Sequence, residues 1–380
     1  MAKKQFTQRD VEQATRLIQQ VPPKVLIAVA VIAIIGVAAF FLLRQPATPQ
    51  AAKPVPEGAI LFCSWNVENF YDDVDDPKND DKSEEFFARH PELFKEKVAH
   101  LADGLLMMND GRGPDIMALC EVESELCMTA LKDALNERLV KAGKQDAQYT
   151  HVLFKGDKLG RRFAPGVLTR LGVDGNRTRK VTDYAGNGRT IEVHIKGNSD
   201  DLIVMAAHWT SRVDSGNGKA QGEVNANDKR RMSYANDCYG RFKAIVKDNP
   251  DADVILCGDF NDEFKDPSIR DGLHATGDLQ ECRNAIDEPR PFALLASWPA
   301  DGKPKGTIYG RGRWSIFDHM LVSRGMLDDK GWRVDPNTAQ IFAPPAFLTS
   351  RGEPFRFGDE RDTKRGYSDH LPVVVQLRAK

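Results

Sequence analysis

The sequence is short of familiar catalytic signatures. Its six cysteines form no CxxC pair and show no zinc spacing, which argues against a redox pair or a structural zinc site. It has no HExxH helix, no GxSxG elbow and no P-loop. Zinc-protease, acyl-transfer and P-loop nucleotide chemistry lose their usual markers. An excess of one charge is also missing. Lys and Arg number 53 against 55 Asp and Glu, for a net charge of −2. Nothing global marks a nucleic-acid binder, so a phosphate-rich partner would need local basic patches. No internal repeat is evident.

What is present is a globular composition, 41% hydrophobic and 28% charged. Residues 1–24 form a basic tail with Lys3, Lys4, Arg9, Arg16 and Lys24. Val25–Leu43 then runs without a charge. As a helix it is roughly 28 Å long, the thickness of a bilayer core. The basic excess lies before it, which predicts a single-pass membrane anchor with the remainder extracytoplasmic; the rival is a cleaved signal peptide, for which the basic leader and the apolar core are both long. Residues 44–58, with Pro46, Pro49, Pro54 and Pro56, read as a semi-extended linker. The folded domain is expected over 59–380. Cys63, Cys120 and Cys257 sit in apolar runs as buried small hydrophobes. Disulfides among Cys127, Cys238 and Cys282 stay open for an extracytoplasmic domain.

The stretch that organises the domain is Ile255–Asp262. The apolar run Val254-Ile255-Leu256-Cys257 ends in Gly258, and Asp259 and Asn261 follow. A strand alternates faces with period two, so this acid and this amide project together. The same punctuation recurs. Asn66 ends the strand expected over Ala59–Val67, Glu121 the strand Ile116–Cys120, and His208 the strand Asp201–Ala207. Asp318 lies on Phe317–Val322, and Asp369 and His370 lead into Val373–Leu377. Helices are expected over Leu93–Met108, Leu126–Val140 and Arg230–Lys247. The acidic run Asp72–Asp81 lacks EF-hand spacing and reads as solvated surface. Oxygen-rich residues at strand ends suit a hard cation, magnesium or manganese. A divalent ion on a phosphodiester would offset the charge that repels hydroxide.

The ordered set Trp65-Asn66-Val67-Glu68-Asn69, Glu121-Val122-Glu123, His208-Trp209, Gly258-Asp259-Phe260-Asn261, Asp318-His319 and Ser368-Asp369-His370 resembles the endonuclease/exonuclease/phosphatase family over about residues 59–378. The resemblance implies an α/β fold: a four-layer α/β sandwich of two mixed sheets flanked by helices, here preceded by the one transmembrane helix. It implies Glu121 and Asp369 as ligands of Mg2+ or Mn2+, with Asn66 at the metal. It implies Asp259, helped by Asn261, as the group that polarises the attacking water. His370, positioned by Asp318, and His208 become phosphate or leaving-group contacts. Ala207 departs from the polar residue that relatives often carry before this histidine, which puts fine substrate choice in doubt.

Basic residues lie beside these motifs, Arg212 and Arg231 foremost, and are candidates to hold phosphates. The leading expectation is a membrane-anchored, metal-dependent phosphodiesterase acting on nucleic acid. A lipid or inositol-phosphate hydrolase of the same fold is the alternative, although no aromatic hairpin is evident in the sequence. A non-catalytic adaptor is the third.

Overall fold

The computed structural model describes residue 22 and residues 55–75, 81–156, 162–181, 189–212, 226–359 and 362–379. Everything below concerns the unit Pro49–Lys380. The expected anchor Val25–Leu43, the basic tail and most of the linker lie outside the described residues. Among the described residues no helix is long and apolar enough to cross a membrane.

Two six-stranded mixed sheets make the domain. The first contains β1 (Ile60–Phe70), β2 (Ile116–Val122), β3 (His151–Phe154), β4 (Ala164–Thr169), β13 (Trp332–Ile341) and β14 (Val373–Ala379). Its spatial order is β13-β14-β1-β2-β4-β3. The second contains β5 (Arg179–Lys180), β6 (Thr190–Ile195), β7 (Leu202–His208), β8 (Asp253–Asp259), β9 (Phe292–Ala293) and β12 (Asp318–Val322). It runs β5-β6-β7-β8-β12-β9. In each sheet one pair is parallel, β1 with β2 and β7 with β8, and the other pairs are antiparallel. A separate hairpin joins β10 (Ile308–Gly310) to β11 (Arg313–Ser315).

Period two decides what each strand buries. Val204 and Ala206 of β7, Ile255 and Cys257 of β8, and Met320 and Val322 of β12 enter the same apolar cluster as Phe62, Met117 and Val167 of the first sheet. The intervening Ile203, Met205, Val254, Leu256 and Leu321 enter a second cluster. That cluster holds the apolar side of α4 (Ala226–Asp248), with Tyr234, Cys238, Phe242 and Ile245. The first sheet is covered by α2 (Pro91–Leu106) and α3 (Glu125–Lys141), through Leu101, Leu105, Leu131 and Leu135. These runs are apolar on both faces because both faces are covered. A truncation such as Phe242→Ala costs about 3–5 kcal/mol here.

Element types agree with the sequence reading, and bounds move by a few residues. All six cysteines are buried and free, so none of Cys127, Cys238 and Cys282 is in a disulfide. The acidic run is less solvated than expected. Asp72 is buried and accepts from Val74 N and the Ser124 hydroxyl. Asp81 caps α1 (Lys82–Ala88). Residues 76–80 of the run lie outside the described residues. The hairpin β10–β11 carries Tyr309 and Trp314, an aromatic pair that the sequence alone does not reveal.

Candidate active site

Strand register builds the site. His208 pairs with Asp259 in the parallel β7–β8 ladder. Asp318 pairs with Asp259 in the antiparallel β8–β12 ladder. The three side chains stand in one row on the face turned to the first sheet, continuing Ala206, Cys257 and Met320 by alternation. Gly258 permits this closeness. Its φ is +129°, and a Cβ there would lie 1.9 Å from the Ala207 carbonyl oxygen.

The first sheet supplies the other half. Asn66 donates through Nδ2 to Glu121 Oε1 and to Asp259 Oδ2, both at 3.0 Å. Its amide thus bridges carboxylates from the two sheets, and its Oδ1 is occupied by the Glu68 amide. The nitrogen of Asn66, not its oxygen, faces the acids. Glu121 Oε2 accepts from Asn69 N at 2.7 Å. Glu68, Asn69, Glu121 and Asn261 all have left-handed φ, between 47° and 62°. Such non-glycine residues are strained and gather where side chains must be re-aimed. By alternation from Cys120, which turns its thiol to the Ala207 carbonyl, Glu121 would face away from the second sheet.

Asp259 is 1% exposed. Its Oδ1 accepts from Asn261 N at 2.8 Å and its Oδ2 from Asn261 Nδ2 at 3.2 Å. Burial pushes its carboxyl up to about 7, against the opposing pull of His370. His370 Nδ1 lies 2.7 Å from Asp318 Oδ2, and its Nε2 is 3.8 Å from Asp259 Oδ2. Burial works against the imidazolium, but the Asp318 and Asp259 charges raise its pKa well above the ordinary value. His208 takes the opposite course. Its Nε2 is 3.6 Å from Glu121 Oε1 and 3.9 Å from Asp259 Oδ2. Burial lowers it to about 4 despite Glu121, with Arg189 adding to the fall. The two imidazoles therefore hold different charge at neutral pH.

Asp369 is half-buried beside this group. Burial, then the Glu68 and Glu121 charges, push its carboxyl up to about 7. Glu121, His208 and Asp259 form one set of donors within 4.8 Å of one another, and Asp259, Asp318 and His370 form another. Carboxylates gathered this closely, from both sheets, are a donor set that suits a hard divalent cation.

Arg212 and Arg231 are not brought to this group. Arg212 grips Asp262 Oδ1 at 2.7 and 2.9 Å and also pairs with Asp266. Arg231 is 2% exposed and lies between Asp262, Asp228 and the Thr210 carbonyl. Both guanidiniums hold the loop after Asn261. His319 faces away, as alternation predicts, with Nε2 on the Asp262 carbonyl at 2.8 Å.

Four residues support this group: Lys97 lies outside the sequence motifs, whereas Trp65, Glu68 and Ser368 belong to them without a role that the sequence assigns. Lys97 of α2, 2% exposed, donates to the Tyr367 carbonyl at 2.9 Å. Burial lowers its ammonium to about 8, against the opposing charges of Glu68, Asp369 and Glu121. Ser368 Oγ donates to the Asn66 carbonyl at 2.6 Å, and Trp65 Nε1 to the His370 carbonyl at 2.9 Å. Glu68 receives Arg356 and the amides of Phe357 and Gly358. An acid right after the Trp65-Asn66-Val67 run is the one available hint.

A sequence model of the Endonuclease/Exonuclease/phosphatase family matches residues 61–379. No curated protein matches the chain. Among solved structures, a double mutant of beta toxin from Staphylococcus aureus with bound magnesium ions is similar at 13% identity and TM-score 0.48, covering 85% of this chain and 100% of that one. An endonuclease/exonuclease/phosphatase family protein from Bacteroides thetaiotaomicron is similar at 15% identity and TM-score 0.47, over 84% and 97%. The human Nocturnin catalytic domain with bound sulfate is similar at 13% identity and TM-score 0.44, over 86% and 96%.

Proposed function

The chain belongs to the endonuclease/exonuclease/phosphatase family, and from that premise we propose that it is a divalent-metal-dependent phosphodiesterase, a nuclease, built as a four-layer sandwich. The observation that most supports this is geometric: Asn66 links Glu121 to Asp259, and the Nε2 atoms of His208 and His370 lie 3.9 and 3.8 Å from the same Asp259 oxygen, with Asp318 on the far nitrogen of His370. A phosphodiester placed between the two histidines meets an imidazolium at His370 Nε2 and a neutral ring at His208.

Each residue then has a role. Asp318 holds His370 in one tautomer and keeps it charged, so that Nε2–H donates to a phosphoryl oxygen as charge develops there. Asp259, with a pKa near neutrality, accepts the proton of the attacking water. Asn66 and Asn261 aim its carboxylate through three amide N–H bonds. His208 supplies the second contact on the phosphate or leaving oxygen. Glu121 and Asp369, with Asn66 beside them, would hold Mg2+ or Mn2+, which when bound supplies charge neutralisation to the anionic ester. Lys97, Ser368 and Trp65 keep the Asp369-His370 segment seated against β1.

The charge-free Val25–Leu43, bracketed by Lys24 and Arg44, supports a single-pass anchor with this domain extracytoplasmic. Retention in the membrane fraction after alkaline extraction tests the anchor, and protease accessibility in intact cells tests the side. For the activity, the purified full chain is assayed on plasmid DNA and RNA with magnesium, manganese and EDTA. Metal-dependent cleavage is expected. Cleavage of neither polymer removes the nuclease reading, and release of phosphocholine or phosphate from lipid vesicles instead would move the substrate to a lipid ester.

A further inference from the structure

The hairpin β10–β11 belongs to neither large sheet, and it grows directly out of the site. Ile308 makes an isolated bridge with His370. The Leu371 amide donates to the Thr307 carbonyl at 2.7 Å. The Thr307 hydroxyl accepts from the amides of Phe317 and Asp318 at 3.2 and 3.3 Å. One foot of the hairpin, Thr307–Ile308, is therefore bonded to the segments carrying His370 and Asp318, and the other foot runs directly on to Asp318.

Its turn is Arg311-Gly312, closed by the pair Gly310–Arg313. The two φ angles are +50° and +80°, the signs of a type I′ turn. The first position of such a turn favours Asn, Asp or Gly, and an arginine there holds a strained backbone. Arg311 and Arg313 are exposed, and among the described residues neither pairs with a carboxylate. Lys303, Lys305, Arg311 and Arg313 occur between Asp301 and Asp318 with no acid among them. Behind the tip, Tyr309 and Trp314 lie directly opposite each other, half-buried, with ring centroids 5.5 Å apart and planes at 58°. At ~3.4 Å per residue Arg311 lies roughly 10 Å along the strand from the His370 bridge, the reach of a few nucleotides along one strand.

We infer that this hairpin is a nucleic-acid arm: Arg311 and Arg313 take backbone phosphates next to the scissile one, and the Tyr309–Trp314 pair offers a stacking face to an unpaired base. The inference rests on the phosphodiesterase reading above and narrows its substrate to single-stranded or locally opened nucleic acid. Cations with interleaved aromatics are the chemistry that single strands recognise. A bilayer fits the arm less well. The guanidiniums are at the tip and the rings behind them, so insertion would drive charge into the hydrocarbon first.

The test is anisotropy of a short labelled oligothymidylate titrated with the full chain in detergent and EDTA, over a range of salt. The double variant Arg311→Gly, Arg313→Ser should bind about tenfold more weakly, with the slope of log K against log salt smaller by about 1.4. Glycine suits the left-handed turn, and a thermal melt equal to wild type verifies the fold. Tyr309→Ala should lose about tenfold in affinity with the salt slope unchanged. Unaltered affinity and slope in the double variant overturn the arm. Wild-type cleavage of DNA or RNA then still stands as the separate measure of the enzymatic reading. Quenching of Trp314 fluorescence by brominated phosphatidylcholine, with oligonucleotide binding untouched in every variant, would overturn the inference in favour of a bilayer.

Discussion

His370 Nδ1 stands 2.7 Å from Asp318 Oδ2, and the two residues come from different sheets. Asp318 opens β12 of the second sheet, whereas His370 precedes β14 of the first. The acid is 0% exposed and the imidazole 5%, so their interaction is little screened. This contact keeps a proton on His370 at neutral pH and sets the ring so that Nε2 looks toward Asp259.

Asp318→Asn should therefore reduce kcat by about 10³-fold with the fold intact. The mutation removes the charge that raises His370, so the His370 pKa should fall. Imidazole chemical shifts followed through a pH titration would report that fall. An unchanged titration would detach Asp318 from the role given to it.

Asp259→Ala and His370→Ala should each bring turnover to background, a loss of about 10³-fold or more, without a change in thermal melting beyond a few degrees. Single-turnover assays at saturating metal separate the loss of chemistry from a loss of binding. A rate near wild type in either variant would refute the assignment.

Cation binding should release protons. Asp259 and Asp369 each lie near 7 in the metal-free protein, and a cation displaces those protons. Magnesium or manganese affinity should thus strengthen as pH rises from 6 to 8, by roughly tenfold. Calorimetry in buffers of different ionisation enthalpy measures the proton count directly. A pH-independent affinity with no proton release would exclude both acids from the binding event.

Two buried acids far from the site should shape stability in opposite directions. Burial opposes the Glu192 charge, but Arg241, His194 and Arg179 hold its carboxyl well below the usual range. Its contribution is present above about pH 4.5 and lost as pH falls below that. Asp253 is raised to about 7, by burial first and then by Asp328, Asp200 and Asp251. Its folded form holds the proton longer than the unfolded form, so stability is lost as pH climbs from about 4 through 7. Asp253→Asn keeps an acceptor for the Trp332 amide and should raise Tm at pH 8 by roughly 2–4 °C, while leaving pH 4 unchanged. Glu192→Gln should cost about 1.5–3 kcal/mol at pH 7, because the Arg179 and Arg241 guanidiniums left behind keep access to solvent. Melting curves across pH for both variants check the signs.

Strand-end chemistry was legible in the sequence because alternation with period two is local. Alternation places Asp259 on the face of Cys257, whereas Asn261 lies past the strand's end and reaches Asp259 through a left-handed turn, its own N–H donating to Asp259 Oδ1. The same alternation sets His319 on the opposite face from Asp318, where its Nε2 meets the Asp262 carbonyl. Lys97 was not legible, since its acceptor lies 270 residues away and its charge looked like the polar side of an amphipathic helix. Arg231 misled for the complementary reason. Its neighbours Lys229 and Arg230 lie in the same basic run, and nothing in that run distinguishes the one guanidinium turned inward to Asp262. The hairpin escaped because its turn is Arg-Gly, not the Asn-Gly or Asp-Gly that usually betrays one.

The strand β14 lies between β13 and β1, yet it is the last described strand to be synthesised. Asp369 and His370 are seated only when it slots into that gap. Without that strand the second sheet still carries His208, Asp259 and Asp318, but the first sheet has nothing to hold Asp369 and His370 against them. A chain shortened before Asp369 would keep the acid that orients the imidazole and lose the imidazole itself.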